Sequence, residues 1–238
     1  MYLLIDKPKG ITSHDVIDHL RKITGIRKIG HAGTLDPNAT GLLLVGIGRE
    51  ATKKLWKKYG KTDKTYVAEI VLGEETETHD PEGRSRKQVR ISHNAKSVRD
   101  DKTGLYSLPV LSNIEGVLES FVGEQEQVPP SFSAVKIKGK KAYELAREGR
   151  YIRLNPRKIT IHSIKLMKYK YPKLEIETRV SSGTYIRALA RDIGRKLGCG
   201  AYLKNLRRTK IGKYGINKSV KLNRLTKDNW VNYKLSQK

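Results

Sequence analysis

Apolar residues recur along the chain at a helical and at an alternating spacing, and together these patterns predict interleaved helices and strands. A capping pattern at Thr12-Ser13-His14-Asp15 opens a helix that ends at Gly25. A longer apolar stripe predicts a helix over 184–197. Strands are predicted at 2–5, 42–47 and 65–72, with two more between 158 and 180. The order lacks a strict βαβ rhythm, which favours a mixed sheet with helices packed on it.

Less regular segments separate these elements. Glycine and proline punctuate residues 25–41, which we predict to be a structured loop rather than a strand or a helix. Residues 73–104 are polar and are predicted to form a loop with room for an edge strand. Ser112 is predicted to cap a helix that Gly123 stops, and a short helix is predicted over 142–148.

The charge balance indicates a polyanionic partner. The 238 residues carry 49 Lys and Arg against 24 Asp and Glu, a net charge of +25, while 37% of the residues are hydrophobic. The chain therefore has enough apolar residues to form a hydrophobic core, and general disorder is not expected. The excess of positive charge favours binding to a polyanion. Basic residues concentrate in 201–238, with 11 Lys and Arg and one acid, and six lysines surround Trp56 in 51–64. Charge alone does not separate an RNA enzyme from a ribosomal protein or a DNA-binding module.

Several classes of protein are excluded. The longest apolar run is about six residues, whereas a membrane-spanning helix needs about 20. Asp6 and Lys7 stand where a signal peptide would keep its apolar segment, and Cys199 is the only cysteine. We therefore expect a cytoplasmic protein with no membrane contact, no disulfide framework and no thiolate metal cluster. No exposed apolar stripe demands a partner, so we expect a monomer.

One glycine-rich stretch carries candidate chemistry, GHAGTLDPNATG at residues 30–41. On composition alone its Asp36 is a turn residue, because aspartate side chains readily bond neighbouring main chain. The sequence of the stretch, however, resembles a motif of the TruB-type tRNA pseudouridine synthases. Further stretches resemble motifs of that family in the same order: KPKGITS at 7–13, KTYVA at 64–68, VPPSFSAVK at 128–136, GTYIR at 183–187 with Asp192-Ile193-Gly194, and LRRTKIG at 206–212.

The resemblance implies an α+β pseudouridine synthase fold, with a mixed, mainly antiparallel sheet and helices around a central active-site cleft. It implies isomerisation of a uridine to pseudouridine in the T-arm loop of tRNA, at the position conventionally numbered 55. The family uses no metal and no organic cofactor. Because the target uridine is buried in a folded loop, the enzyme must flip it out of its stack.

The resemblance also assigns the catalytic residues. Asp36 matches the essential aspartate, and a carboxylate can act as a nucleophile that divides one hard step into easier ones. Arg187 matches the arginine that pairs with this aspartate and orients it. Tyr66 matches the tyrosine that stacks on the target base and is a candidate proton acceptor. Whether Asp36 attacks the sugar, attacks the base or removes a sugar proton stays open.

Five further residues are expected to bind the substrate or support the site. His31 matches the histidine that fills space near the displaced bases. Lys7 and Pro8 are expected to support the Tyr66 ring, while Leu206 forms part of an apolar floor and Tyr185 lines the pocket beside Arg187.

The chain ends soon after the last motif. We expect a catalytic domain over 1–222 and a basic tail over 223–238 with no folded accessory domain, a short form that lacks the RNA-binding module of many relatives. This argues against the guide-RNA-dependent branch of the family. We hypothesise that the basic residues of 201–238 and 51–64 replace the missing RNA contacts.

Two alternatives stay open at this stage. The chain could be a non-catalytic RNA-binding or tRNA-folding protein on the same scaffold, or a synthase acting on another RNA. The intact set of Asp36, Tyr66 and Arg187 disfavours the first alternative, since a binder has no need of a carboxylate among basic groups.

Overall fold

A computed structural model describes residues 1–88, 91–92, 106–107, 111–133, 135–137, 139–149, 152 and 154–235. Its α-helices are α1 Ser13–Thr24, α2 Arg49–Leu55, α3 Leu111–Glu119, α4 Ala142–Arg147 and α5 Ile186–Lys196. A π-helical turn, Trp56–Gly60, continues α2, and 3₁₀ turns lie at Ile216–Lys218, Leu222–Arg224 and Trp230–Tyr233. Across the described ranges no helix has the length and apolar character needed to cross a bilayer.

The strands differ widely in length, and several short pairs lie between the longer strands of the chain. They are β1 Tyr2–Lys7, β2 Ile29–Ala32, β3 Ala39–Ile47, β4 Lys64–Leu72, β5 Glu74–Thr76, β6 Ser85–Gln88, β7 Ile91–Ser92, β8 Tyr106–Ser107, β9 Gly123–Gln127, β10 Lys136–Ile137, β11 Lys140–Lys141, β12 Arg157–Lys170, β13 Lys173–Val180, β14 Ala201–Ile211, β15 Tyr214–Gly215 and β16 Val220–Lys221.

The chain divides into two compact units. Unit 1 comprises Met1–Val67, Arg179–Ser182 and Asn205–Lys238, and unit 2 comprises Ala68–Thr178 and Gly183–Lys204. Both parallel and antiparallel pairs occur, with antiparallel pairs in the majority. The mixed, mainly antiparallel α+β class expected from the sequence is therefore confirmed.

Unit 1 is built on β3. This strand pairs antiparallel with β1 and β2 and parallel with β14, and β16 adds a parallel edge beside β1. Arg208 of β14 lies opposite Gly41, whose φ is +102°. A Cβ at Gly41 would clash with the Arg208 carbonyl oxygen, so only glycine allows this approach of the two strands.

Alternation along β1 gives unit 1 a core on each face of the sheet. Leu3 and Ile5 pack with α1, whereas Tyr2 and Leu4 pack with α2 and the π-helical turn. The predicted capping box of α1 is present: the Asp15 N–H donates to the Thr12 hydroxyl at 3.0 Å, and the Thr12 N–H donates to the Asp15 carboxylate at 2.7 Å.

The end of the chain packs against unit 1. Val220 pairs with Ile5, and the side chains of Leu222 and Leu225 are buried in the core beneath α1. The Leu235 N–H donates to the Tyr2 carbonyl at 2.9 Å. Residues 223–235 are thus held by apolar contacts and main-chain hydrogen bonds, and their charged side chains point outward.

Unit 2 is arranged around β12. In this unit β12 pairs antiparallel with β9, from Gly123 opposite Ile161 to Gln127 opposite Arg157, and α3 packs against β12 and α5. The two strands predicted between 158 and 180 are confirmed as β12 and β13, and the helix predicted over 184–197 is confirmed as α5.

Three local predictions need correction. Residues 25–41 contain β2 and the first residues of β3. These strands form because β2 pairs with residues 44–47 of β3, and the start of β3 pairs with β14, partners that local sequence does not reveal. The helix near 112 begins at Leu111, so Ser112 lies inside its first turn. Gly123 opens β9 rather than closing that helix. The segment 73–104, predicted as a loop with room for an edge strand, contains the paired strands β5 and β6, and much of its remainder lies outside the described residues.

Candidate active site

Asp36 lies in the loop 33–38 that joins β2 to β3, named here the Asp36 loop. Its carbonyl accepts from the Ala39 N–H at 3.0 Å, which closes the turn at the start of β3. The Ser13 hydroxyl accepts from the Leu35 N–H at 2.9 Å and donates to the Leu35 carbonyl at 3.0 Å. The residue before Asp36 is therefore fixed on both main-chain groups by the start of α1.

Lys7 holds the other side of the Asp36 loop. Its side chain is fully buried, and its Nζ donates to the carbonyls of Pro8 at 2.9 Å, Ile11 at 2.7 Å and Pro37 at 3.2 Å. Burial lowers the Lys7 pKa to about 8, while the negative charge of Asp36 opposes that shift. The ammonium thus ties the segment that precedes the cap of α1 to the residue that follows Asp36.

Arg208 fixes the beginning of the same loop. Only 1% of this residue is exposed, and its Nε donates to the Leu42 carbonyl at 2.7 Å while Nη2 donates to the Gly33 carbonyl at 2.9 Å. The guanidinium carbon lies 6.0 Å from the centroid of the Tyr66 ring, within the range of a cation–π contact. Arg208 therefore joins the Asp36 loop to Tyr66.

The predicted base-contacting residues of unit 1 occupy neighbouring strands. Tyr66 lies on β4 and is buried, and Leu206 lies on β14 opposite Ala39, three residues after Asp36. Pro8 is exposed directly after β1. The structure thus brings Asp36, Tyr66 and Leu206 to one region of unit 1, with Arg208 between loop and ring.

His31 stands on β2 opposite Val45, five residues before Asp36. Its Nδ1 is buried and finds no hydrogen-bond partner among the residues that the structure describes. Burial lowers the His31 pKa to about 4, and the positive charges of Arg208 and His14 act in the same direction. His31 is therefore a neutral imidazole at pH 7.

Lys64 is a third buried cation of unit 1. Its Nζ donates to the carbonyls of Thr62 at 2.6 Å and Gly60 at 3.5 Å. Burial lowers the Lys64 pKa to about 8, and Arg208 adds to the shift. Like Lys7 and Arg208, it is held by carbonyl oxygens, which satisfy its N–H groups without cancelling its charge.

In unit 2, Arg187 lies in the first turn of α5 and only 8% of it is exposed. Nη1 donates to the Thr78 carbonyl and to the Asp80 carboxylate, both at 3.1 Å, and Nη2 donates to the Phe132 carbonyl at 3.0 Å. The expected pairing of Arg187 with Asp36 stays a prediction.

Sequence reasoning missed Asp80, which it placed in an undistinguished polar loop. One carboxylate oxygen faces Arg187, and the other accepts from the Thr78 hydroxyl and from the Glu82 N–H at 3.1 Å. The adjacent His79 has a left-handed φ of 60°, which lets the turn aim Asp80 at the guanidinium. The only sequence signal was an acid beside a Pro and a Gly, and nothing linked it to a residue 107 positions away.

Tyr185 immediately precedes α5 and is half-buried. Its N–H donates to the Gln127 side-chain oxygen at 2.8 Å, and its carbonyl accepts from the Gln127 side-chain nitrogen at 3.1 Å. This pair of bonds attaches the start of α5 to the end of β9, and thereby sets the position of Arg187 two residues later.

Comparison with known proteins places the chain in a class. A family model described as the TruB family pseudouridylate synthase N-terminal domain matches residues 21–186, and one described as the tRNA pseudouridylate synthase B C-terminal domain matches 187–237. The fold is that of a pseudouridylate synthase. The chain belongs to the TruB family, which confirms the family, the fold and the isomerase class expected from the sequence.

Named relatives agree with this assignment. The chain is 46% identical over 212 residues to "tRNA pseudouridine synthase B" of Protochlamydia amoebophila, covering 89% of this chain and 74% of the relative. It is 45% identical over 224 residues to the protein of the same name from Desulfotalea psychrophila, covering 91% and 84%.

Two solved structures share the fold. The structure titled "Crystal Structure of a Cbf5-Nop10-Gar1 Complex" matches with a TM-score of 0.68 and 28% identity over 96% of this chain. "Structure of H/ACA RNP bound to a substrate RNA containing 2'-deoxyuridine" matches with a TM-score of 0.66 and 25% identity over 99%. The chain spans 54% and 56% of the length of those two chains.

Proposed function

We propose that this protein converts a uridine of tRNA into pseudouridine, at the position conventionally numbered 55 in the T-arm loop. The observation that carries the proposal is the Asp36 loop, which bears an acid and whose main chain is held by the buried cations Lys7 and Arg208. The names of the relatives from Protochlamydia amoebophila and Desulfotalea psychrophila support tRNA as the substrate.

The reaction breaks the bond between C1′ of the ribose and N1 of the uracil, turns the base, and forms a bond from C1′ to C5. The proton on C5 is then lost and N1 is protonated, so that substrate and product are isomers. Asp36 supplies the carboxylate that assists bond breaking, and the tethers on its loop hold that carboxylate in position before substrate arrives.

Tyr66 and its neighbours receive the base. A base flipped out of the T-arm loop stacks on the Tyr66 ring, with Leu206 as an apolar contact, and the Tyr66 hydroxyl is the candidate acceptor of the C5 proton. His31 is neutral at pH 7, so it fills space near the displaced bases without adding charge. Lys7 and Pro8 support this region through the main chain of the Asp36 loop.

Arg187 orients Asp36 in this proposal, and Asp80 orients Arg187. A guanidinium held by two carbonyls and a carboxylate keeps one geometry, which is what a bidentate partner of a catalytic carboxylate requires. Tyr185 acts at one remove, because its main chain fixes the start of α5.

The basic residues of the chain end are proposed to add phosphate contacts. Lys221 and Lys227 are exposed while Leu222 and Leu225 anchor the segment between them. Exposed large apolar side chains of the described residues are spread over separate elements, and we propose a monomer, which light scattering tests.

The deciding experiment incubates an unmodified tRNA transcript with the wild-type protein and with Asp36→Asn, and then maps pseudouridine along the RNA. We expect product at the T-arm uridine with wild type and a loss of at least about a thousandfold with Asp36→Asn. Asp18→Asn, on α1, is the matched control and retains activity, because this carboxylate is half-exposed and pairs only with Arg21 and His14 among the described residues. Product at another uridine, no product with wild type, or equal product with both proteins would refute the proposal.

A further inference from the structure

A lysine-rich surface of unit 1 surrounds an exposed indole. The surface, named here the Trp56 surface, comprises residues 53–61, the last turn of α2 and the π-helical turn that follows. Trp56 is 63% exposed. The exposed lysines around it are Lys53, Lys54, Lys57, Lys58 and Lys61. Throughout the described ranges no carboxylate pairs with any of them, so the charge of the surface is uncompensated.

The indole is held in place although it is exposed. A Cβ added at Gly60 would stand 2.6 to 2.9 Å from three atoms of the Trp56 ring. The ring therefore lies against the Gly60 main chain, at a distance that only glycine permits. One side of the indole is supported by backbone, and its exposed area is available to a flat partner.

The turn beneath the indole is itself anchored. Tyr59 is buried, with its ring 5.4 Å from that of Tyr2 and 5.9 Å from that of Tyr214, both in edge-on contact. The Gly60 carbonyl accepts from the Ser182 hydroxyl at 2.6 Å. Asp63, just beyond the turn, pairs with Arg179 at 2.9 Å. A ligand that stacks on Trp56 therefore meets a surface that needs little reordering.

The chemistry of the surface distinguishes among kinds of partner. Leu55 and Tyr59, the other apolar side chains of the segment, are buried, so the surface presents one aromatic ring within a ring of positive charge. A membrane-binding helix needs a broad exposed apolar face, which this segment lacks. A single stacking ring among cations is instead the arrangement that binds an unpaired base together with the phosphates on either side of it.

We propose that the Trp56 surface binds an unpaired nucleotide of the RNA substrate, which stacks on the indole while the surrounding lysines contact its flanking phosphates. The proposal rests on the proposed function for the identity of the RNA. The segment leads directly into β4, which begins at Lys64 and carries Tyr66 two residues later, so the surface and the candidate base-stacking residue belong to one continuous stretch of chain.

Tryptophan fluorescence tests stacking without any change at the surface. The chain has two tryptophans, and Trp230→Phe leaves Trp56 as the sole emitter while Trp56→Phe leaves Trp230, which is partly buried against the unit 1 core. We expect an unmodified tRNA transcript to quench Trp56 emission. Heparin, a polyanion without bases, should bind the lysines and leave that emission unquenched. Equal quenching by heparin, or none by tRNA, would overturn the proposal.

Affinity measurements test the two contributions separately. Trp56→Ala should weaken tRNA binding on the order of tenfold, within the range for removal of one stacking partner. Lys57→Gln together with Lys58→Gln should make the slope of log affinity against log salt shallower by about 1 to 2. The matched control removes two exposed lysines, Lys165 and Lys168, from β12 of unit 2. An equal change in the control would show general charge rather than a site, and unchanged binding by Trp56→Ala would contradict stacking.

The outcome separates this proposal from the proposed function. Trp56→Ala should raise KM for tRNA and leave kcat unchanged, because the residue is proposed to hold RNA and not to react. Quenching of Trp56 by tRNA without any pseudouridine would keep the surface and reject the enzymatic function. Normal turnover at the T-arm uridine without quenching would keep the function and reject the surface.

Discussion

The buried cations of both units donate to main-chain carbonyls, and two of those in unit 2 also pair with a carboxylate. In unit 1, Lys7, Lys64 and Arg208 donate to main-chain carbonyls. In unit 2, Arg187 pairs with Asp80 and Arg191 pairs with Asp192. A carbonyl satisfies an N–H group but carries no net charge, whereas a carboxylate also cancels the charge.

This difference sets the electrostatics of each region. In unit 1 the positive charge of Arg208 lowers the pKa of Lys64 and of His31 further than burial alone, while the carboxylate of Asp63 opposes the shift of Lys64. The carboxylate of Asp36 likewise opposes the lowering of the Lys7 pKa. In unit 2 the pair with Asp80 and the bonds to two carbonyls hold the Arg187 guanidinium in one geometry.

The largest effect is expected from breaking a pair in unit 2. Asp80→Asn leaves the Arg187 guanidinium buried without its carboxylate, so the free energy of unfolding should fall by about 3 kcal/mol. Urea denaturation measures the loss, and pseudouridine formation should fall with it. Glu82→Gln, an exposed neighbour, is the control and should change stability by less than about 0.5 kcal/mol. A stable Asp80→Asn would mean that carbonyls suffice in unit 2 as they do in unit 1.

A smaller effect is expected from the corresponding change in unit 1. Arg208→Lys keeps the charge but cannot reach both the Leu42 and the Gly33 carbonyl, so stability should fall by about 2 kcal/mol. Loss of the hydrogen bond to the Gly33 carbonyl would release one end of the Asp36 loop, and kcat should therefore fall about tenfold or more.

The adjacent residue provides a matched control. Arg207 precedes Arg208 on the same strand and pairs with Asp6, but the Arg207 side chain is 43% exposed. Arg207→Lys should therefore alter stability by less than about 1 kcal/mol. Equal losses in the two variants would show that burial is not what makes Arg208 important.

The features predictable from the sequence are those that depend on neighbouring residues or that resemble a known motif. The capping box of α1 and the alternation of β4 each depend on residues within a few positions, and both are present. The Asp36 loop was found because six stretches matched family motifs in order. Composition alone predicts only that Asp36 is a turn residue.

The rest depends on contacts between distant residues. β2 has four residues between glycines, and it forms because β3 offers a partner strand. Asp80 meets Arg187 from 107 positions away, and Arg208 meets Gly33 from 175. Neither pairing leaves a periodic pattern in the sequence. The carbonyl ligands of Lys7 and Arg208 are main-chain atoms, which every residue type carries and no motif can mark.

The pH dependence of stability tests the buried lysines of unit 1. The folded Lys7 pKa of about 8 lies below its ordinary 10.5, so between these values the unfolded chain binds more protons than the folded one. Stability contributed by this residue therefore rises as pH increases from 8 to 10.5. Urea denaturation at pH 8, 9 and 10 should show wild type gaining about 1 kcal/mol per pH unit relative to Lys7→Met. The exposed Lys22→Met should follow wild type, and a parallel curve for Lys7→Met would contradict a buried charged ammonium.

The smallest effect compares one histidine in each unit. Burial lowers the pKa of both His31 and His79 to about 4, helped by Arg208 in unit 1 and by Arg191 in unit 2. As pH falls from 6.5 towards 4, the unfolded chain takes up protons that the folded histidines refuse, so stability is lost over this window. His31→Asn and His79→Asn should each flatten the curve of unfolding free energy against pH by up to about 1 kcal/mol per unit. Because the pKa of both histidines is lowered to about 4, the two variants should flatten the curve to the same extent. An unchanged curve for either variant would contradict the lowered pKa of that histidine.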